Sequence, residues 1–119
     1  MQAIYNKQGT TVAWLSGKDL FSTKGYFIGF VINNTVYNNR SEYCGTLKQS
    51  FFRDYHGNVV AFMDGAKGGP ALPSLKSSPA KPANKARPST KATRPALVSK
   101  PPKPSWSKLD WKMFIQQLH

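Results

Sequence analysis

Two side chains of this 119-residue sequence have types that could do nucleophilic chemistry together: Cys44 as the thiol, and His56 as the base that would activate it. Against that pairing, Cys44 stands where the other copies of an internal repeat place Val12, Ile28 and Val60, so the thiol reads as a small buried apolar side chain. The acidic residues, Asp19, Glu42, Asp54, Asp64 and Asp110, make no recognisable acid–base pair, and Asp54 and Asp64 occupy turn positions. His56 and His119 with a single cysteine are too few for a dedicated zinc site of the usual kind. Gly65, Gly68 and Gly69 lack the spacing of a phosphate-binding loop, and no helix pattern follows them. The sequence therefore predicts no enzyme, no cofactor and no metal site.

The elements that would position any site are written as a repeat of sixteen residues, four times over. Ile4-Tyr5, Leu20-Phe21, Val36-Tyr37 and Phe52-Arg53 are equivalent, as are Gly9, Gly25, Ser41 and Gly57. Then come Val12-Ala13-Trp14-Leu15, Ile28-Gly29-Phe30-Val31, Cys44-Gly45-Thr46-Leu47 and Val60-Ala61-Phe62-Met63. Between the two apolar blocks of a unit stands Asn6, Ser22, Asn38 or Asp54, with glycine or serine three places later, which is the preference of a type I turn. Each unit thus reads as a β-hairpin, joined to the next by Ser16-Gly17-Lys18-Asp19, Asn33-Asn34 or Gln49-Ser50.

Alternation puts Ala13, Gly29, Gly45 and Ala61 on one strand face with Leu15, Val31, Leu47 and Met63. The other face then carries Val12, Trp14, Ile28, Phe30, Cys44, Thr46, Val60 and Phe62. A small residue at one position in all four copies points to converging backbones. The predicted fold is all-β: eight short strands in four hairpins, closed into a pseudo-four-fold ring because closure leaves no unpaired edge. An open meander is the plainer alternative. The third unit is irregular, with Ser41, Cys44 and Thr46 where the others keep glycine, Val or Ile, and an aromatic residue. That is either a notch for a ligand or simple drift, and drift is preferred.

The sequence divides into a four-hairpin domain, 1–65, a Pro/Lys-rich linker, 66–104, and an aromatic amphipathic tail, 105–119. Of the formal net charge of +12, the head carries little; residues 66–105 hold nine basic and no acidic side chains. Such a segment cannot bury enough surface to order itself, so it is expected to be disordered and extended. It can be a plain spacer, the leading reading. It can also neutralise nucleic-acid phosphates through Lys81, Lys85, Arg87, Lys91, Arg94, Lys100 and Lys103, or dock Pro79–Pro82 or Pro101–Pro104 in an aromatic groove. In the tail, Ser105 or Ser107 can cap a short helix, with Ser107-Lys108-Leu109-Asp110 as an approximate capping box. Trp111, Phe114, Ile115 and Leu118 then form one apolar face, with Trp106 before it. A helix this short needs a surface to pack on: its own head, a second copy, or a foreign partner.

No leader pattern and no apolar run of membrane-spanning length is seen, and one cysteine gives no sign of an oxidising compartment, so the expectation is a soluble cytoplasmic protein. The four units, the Asp64-Gly65-Ala66-Lys67-Gly68-Gly69-Pro70 exit, the Pro/Lys-rich tail and the closing Trp106-Ser107-x-Leu109-x-Trp111-x-x-Phe114 together resemble the bacterial four-fold beta flower family. The resemblance implies a ring of four hairpins about a pseudo-four-fold axis and carries no established activity or catalytic residue. The functional expectation is a non-enzymatic binding or scaffold module, able to self-associate, with protein as its partner. The alternative is a nucleic-acid-associated protein acting through the cationic linker.

Overall fold

The turns set the architecture. The carbonyls of Asn6, Ser22, Asn38 and Asp54 accept the amides of Gly9, Gly25, Ser41 and Gly57 at 2.9–3.0 Å, closing four type I turns. The side-chain oxygens of the first residues bond back to the chain: Asn6 Oδ1 takes the amides of Gln8 and Thr10, Ser22 Oγ those of Lys24 and Tyr26, Asn38 Oδ1 those of Arg40 and Glu42, and Asp54 Oδ1 that of Asn58. Gly9, Gly25, Ser41 and Gly57 all adopt left-handed φ, between 60° and 88°, so Ser41 holds a glycine conformation without being one. The connections at the other end are tighter. Asn33-Asn34 and Gln49-Ser50 have positive φ at both residues, the mark of two-residue type I′ turns, and Gly17-Lys18 has it only at the glycine, as type II′ requires.

In the computed structural model, which describes residues 1–77, 79–82 and 100–116, these turns join β1 (Gln2–Tyr5), β2 (Thr11–Ser16), β3 (Asp19–Ser22), β4 (Phe27–Ile32), β5 (Thr35–Asn38), β6 (Tyr43–Lys48), β7 (Phe51–Arg53) and β8 (Val59–Phe62). Every strand pairs antiparallel with its neighbours in sequence, and β8 returns to β1, so the sheet is a closed up-and-down barrel rather than an open meander. The closing seam is short: β1 and β8 share the single pair Tyr5↔Phe62.

Each hairpin carries a β-bulge at the same place. Ile4 pairs with Ala13 and Tyr5 with Thr11, leaving Val12 without an opposite number; Ile28, Cys44 and Val60 are skipped in the same way in the other three units. A bulge of this kind puts two consecutive side chains on one side of the sheet. Val12, Ile28, Cys44 and Val60 therefore join Ala13 and Ala61 in the main core cluster, where strict alternation had placed them on the opposite face. Ile4, Leu20, Val36 and Phe52, one from each unit, are fully buried in the same cluster, each contributing about 1.5–3 kcal/mol by leaving water. The small residue of each unit has a direct cause at Gly45, where an added Cβ would meet the carbonyl oxygen of Arg53 and the Phe114 ring.

Outside the barrel, cross-strand pairs of large side chains hold consecutive units together. Trp14 stands opposite Phe21, Phe30 opposite Tyr37 and Phe62 opposite Tyr5, the last two with ring centroids 5.3 and 5.5 Å apart. The junction between the third and fourth units instead pairs Thr46 with Arg53.

Candidate functional site

The short seam leaves the first residue of β8 half-paired, and the C-terminal segment fills the vacancy. Val59 donates its amide to Ser105 O at 2.9 Å and accepts the Ser107 amide at 2.8 Å, a parallel bridge centred on Trp106. The Trp106 ring lies edge-on to Phe62, with centroids 6.2 Å apart. Ser107 then donates its hydroxyl to Asp54 Oδ2 and accepts the Leu109 amide. The helix begins later than the sequence suggests: α1 spans Trp111–Gln116, and its cap is Asp110, whose Oδ1 accepts the Met113 amide at 2.8 Å. Neither Ser105 nor Ser107 caps it, because Ser107 is committed to Asp54 and Ser105 to the seam and to Asn58.

α1 stoppers the barrel at the end where the four type I turns lie. Trp111, Phe114 and Ile115 are buried in the core cluster with Ile4, Leu20, Val36 and Phe52, and the Trp111 ring stands edge-on to Phe52 at 5.2 Å. Arg40, paired to Glu42 at 2.8 Å, donates Nη2 to Gln116 O and so ties the helix end to the third turn. Residues 105–116 thus pack on the barrel of their own chain.

Between this returning segment, β6 and the fourth turn lies a cleft of about 650 Å³. Tyr43, Tyr55, His56, Trp106 and Leu109 give it aromatic and apolar walls, with Asn58, Ser105 and Lys108 as polar groups. Cys44 and His56 both border it, so the fold does bring them to one cavity. Their surroundings are structural. Cys44 is 4% exposed, its Sγ 3.6 Å from Glu42 O and 3.8 Å from Ile115 O, and the His56 ring stands edge-on to Tyr55. Asp54, also at this cleft, spends its two oxygens on the Asn58 amide and the Ser107 hydroxyl.

At both described ends of the proline-rich segment the backbone bonds to the barrel, while the middle of the stretch expected to be disordered, 83–99, lies outside the described residues. The Lys76 amide bonds Gly9 O, and the amides of Lys100 and Lys103 bond Tyr55 O and Gly57 O, each at 3.0 Å. The closing glycines of the first and fourth turns make room for this: a Cβ on Gly9 would strike Ser74 O, and one on Gly57 would strike Pro101 O. Of the cations proposed for phosphate contact, Lys81 borders a cleft with Tyr5, Trp14 and Asp64, while Lys100 borders one beside β6 and β7. Lys85, Arg87, Lys91, Arg94 and Leu118 lie outside the described residues.

Sequence reasoning missed Arg53. It is 6% exposed, donates Nη1 to Gly57 O and Lys103 O at 2.7 and 2.6 Å, and lies over the Phe51 ring with 5.2 Å to its centroid. Desolvation pushes its guanidinium below the ordinary arginine value. The signal was present in the repeat, since Arg53 replaces the aromatic residue seen at Tyr5, Phe21 and Tyr37.

Fold and site together define a small closed β-barrel of four bulged hairpins, stoppered by its own C-terminal helix. Over residues 2–115 the chain matches the 4-fold beta flower protein family, and it belongs to that family. No curated protein and no solved structure matches it. Among the described residues, no helix is long and apolar enough to cross a membrane.

Proposed function

We propose that this protein is a non-enzymatic binding module, in which the self-docked C-terminal segment shapes the recognition cleft. The observation that supports this reading is the cleft itself: about 650 Å³, walled by Tyr43, Tyr55, Trp106 and Leu109, with a few convergent polar groups. Ligand sites have that character. The groups that could do chemistry there are engaged in holding the fold, Asp54 through Ser107 and Cys44 in the core. The occupant is an apolar or aromatic group carrying a hydrogen-bonding handle. Titration of the full chain with the neutral dye Nile red, followed by fluorescence, should show saturable binding that Tyr55→Ser and Leu109→Ser weaken at least tenfold without lowering Tm. Absence of saturation, or indifference to both substitutions, would discard the reading.

A second reading is favoured by the side chains of Lys76, Lys81, Lys100 and Lys103, all exposed although the backbone beside three of them is fixed to the barrel. Lysines arrayed this way would neutralise nucleic-acid phosphates without reading sequence. Anisotropy of labelled DNA and RNA across a salt series decides it: a steep loss of affinity with salt supports phosphate contact, and no binding near physiological salt removes it.

A further inference from the structure

Three of the four junctions between hairpins set two aromatic residues opposite each other, and the fourth sets Thr46 opposite Arg53. A cleft of about 430 Å³ opens there, distinct from the aromatic cleft described above. Lys48, Arg53 and Lys100 line it, with the amide side chains of Asn33, Asn34 and Gln49 and the single carboxylate of Asp54. Asp54 is one negative charge against three positive ones, its oxygens are turned to Asn58 and Ser107, and no described carboxylate lies within ion-pair distance of Arg53. Arg53 is nearly buried, yet only its Nη1 is used, leaving the Nε and Nη2 edge without an acceptor among the described residues.

A buried cation without a counter-charge is costly, and proteins pair or neutralise such groups. Guanidinium is also the side chain best shaped to grip a tetrahedral oxyanion through two parallel N–H donors. We propose that the notch between the third and fourth hairpins is a phosphate-binding site, in which Arg53 supplies the bidentate edge, Lys48 and Lys100 the flanking charge, and Asn33, Asn34 and Gln49 neutral donors. Thr46 is the residue that makes room, since the other junctions carry an aromatic side chain at its position. The ligand is a phosphate group, either inorganic phosphate or a small phosphate monoester.

The test is thermal unfolding and calorimetry of the full chain with sodium phosphate and with glycerol phosphate, each against sodium chloride at matched ionic strength. Either phosphate compound should raise Tm saturably, as a ligand that binds the native state must. Lys48→Ala with Lys100→Ala, both exposed positions, should weaken binding at least tenfold with the fold intact. Thr46→Phe should abolish binding by filling the notch. Arg53→Lys, which keeps charge but loses the fork, should also weaken it strongly. No rise in Tm for the natural chain would overturn the proposal. So would an equal rise in the Lys48/Lys100 and Thr46 variants, because the effect would then be diffuse screening of a chain whose net charge is +12.

Discussion

Ser107 donates its hydroxyl to Asp54 Oδ2 at 2.5 Å, joining a residue of the C-terminal segment to the fourth turn across 53 positions of sequence. Both residues are buried, at 6% and 5% exposure, so the bond works where water cannot replace it. It gives Asp54 two tasks, closing its own turn through Asn58 and fixing the returning chain.

Single substitutions at Asp54 and Ser107 separate those tasks. Asp54→Asn should preserve the turn, because Asn6 and Asn38 close theirs as asparagines. It should lose the charge-assisted bond to Ser107, worth about 1.5–3 kcal/mol. Ser107→Ala should cost about as much, and the double variant should cost less than the sum. Urea unfolding of the four proteins measures this; strictly additive losses would mean the two groups do not communicate.

The helix is a second place where stability concentrates. Phe114 is completely buried in the barrel core, so Phe114→Ala should cost about 3–5 kcal/mol, enough to unfold much of a small domain. Met113, next to it and 37% exposed, should change to alanine with little effect. Similar midpoints for the two variants would show that α1 lies outside the cooperative unit.

Gly57 and Gly17 both have positive φ but should differ in their tolerance of alanine. Gly17 faces open space, so Gly17→Ala costs only the backbone strain of a positive φ, about 1–3 kcal/mol. Gly57→Ala adds a collision with Pro101 O and should also detach the strap at 100–103. Limited proteolysis is the readout, with faster cleavage in that stretch expected for the Gly57 variant alone. Equal cleavage of both would mean the strap does not depend on Gly57.

Period and turn chemistry made the four hairpins legible in the sequence, since Asn6, Ser22, Asn38 and Asp54 each announce a turn whose glycine or serine follows at a fixed distance. The bulges were not legible. Skipping Val12 or Cys44 changes pairing without changing composition, so alternation assigned those side chains to the wrong face. The cap of α1 was misplaced for a related reason: Ser107 and Asp110 are both good caps locally, and only the long-range bond to Asp54 decides between them. Neither cleft could be read, because each is made by the returning segment meeting the third and fourth units.

The bulge also decides what Cys44 is for. It is the third unit's counterpart of Val12, Ile28 and Val60, turned into the barrel and packed with Ile115 and Val60 in the core. A thiol held so should behave as a small hydrophobe, with little access for reagents. Cys44→Val, which restores the repeat, should therefore change stability by less than about 1.5 kcal/mol, and Cys44→Ser should cost more by burying a hydroxyl. In the folded protein, a disulfide reagent such as Ellman's should label the thiol at the rate of global unfolding. Rapid labelling under native conditions would instead show that the 650 Å³ cleft opens onto Sγ, and would restore Cys44 and His56 as candidates for chemistry.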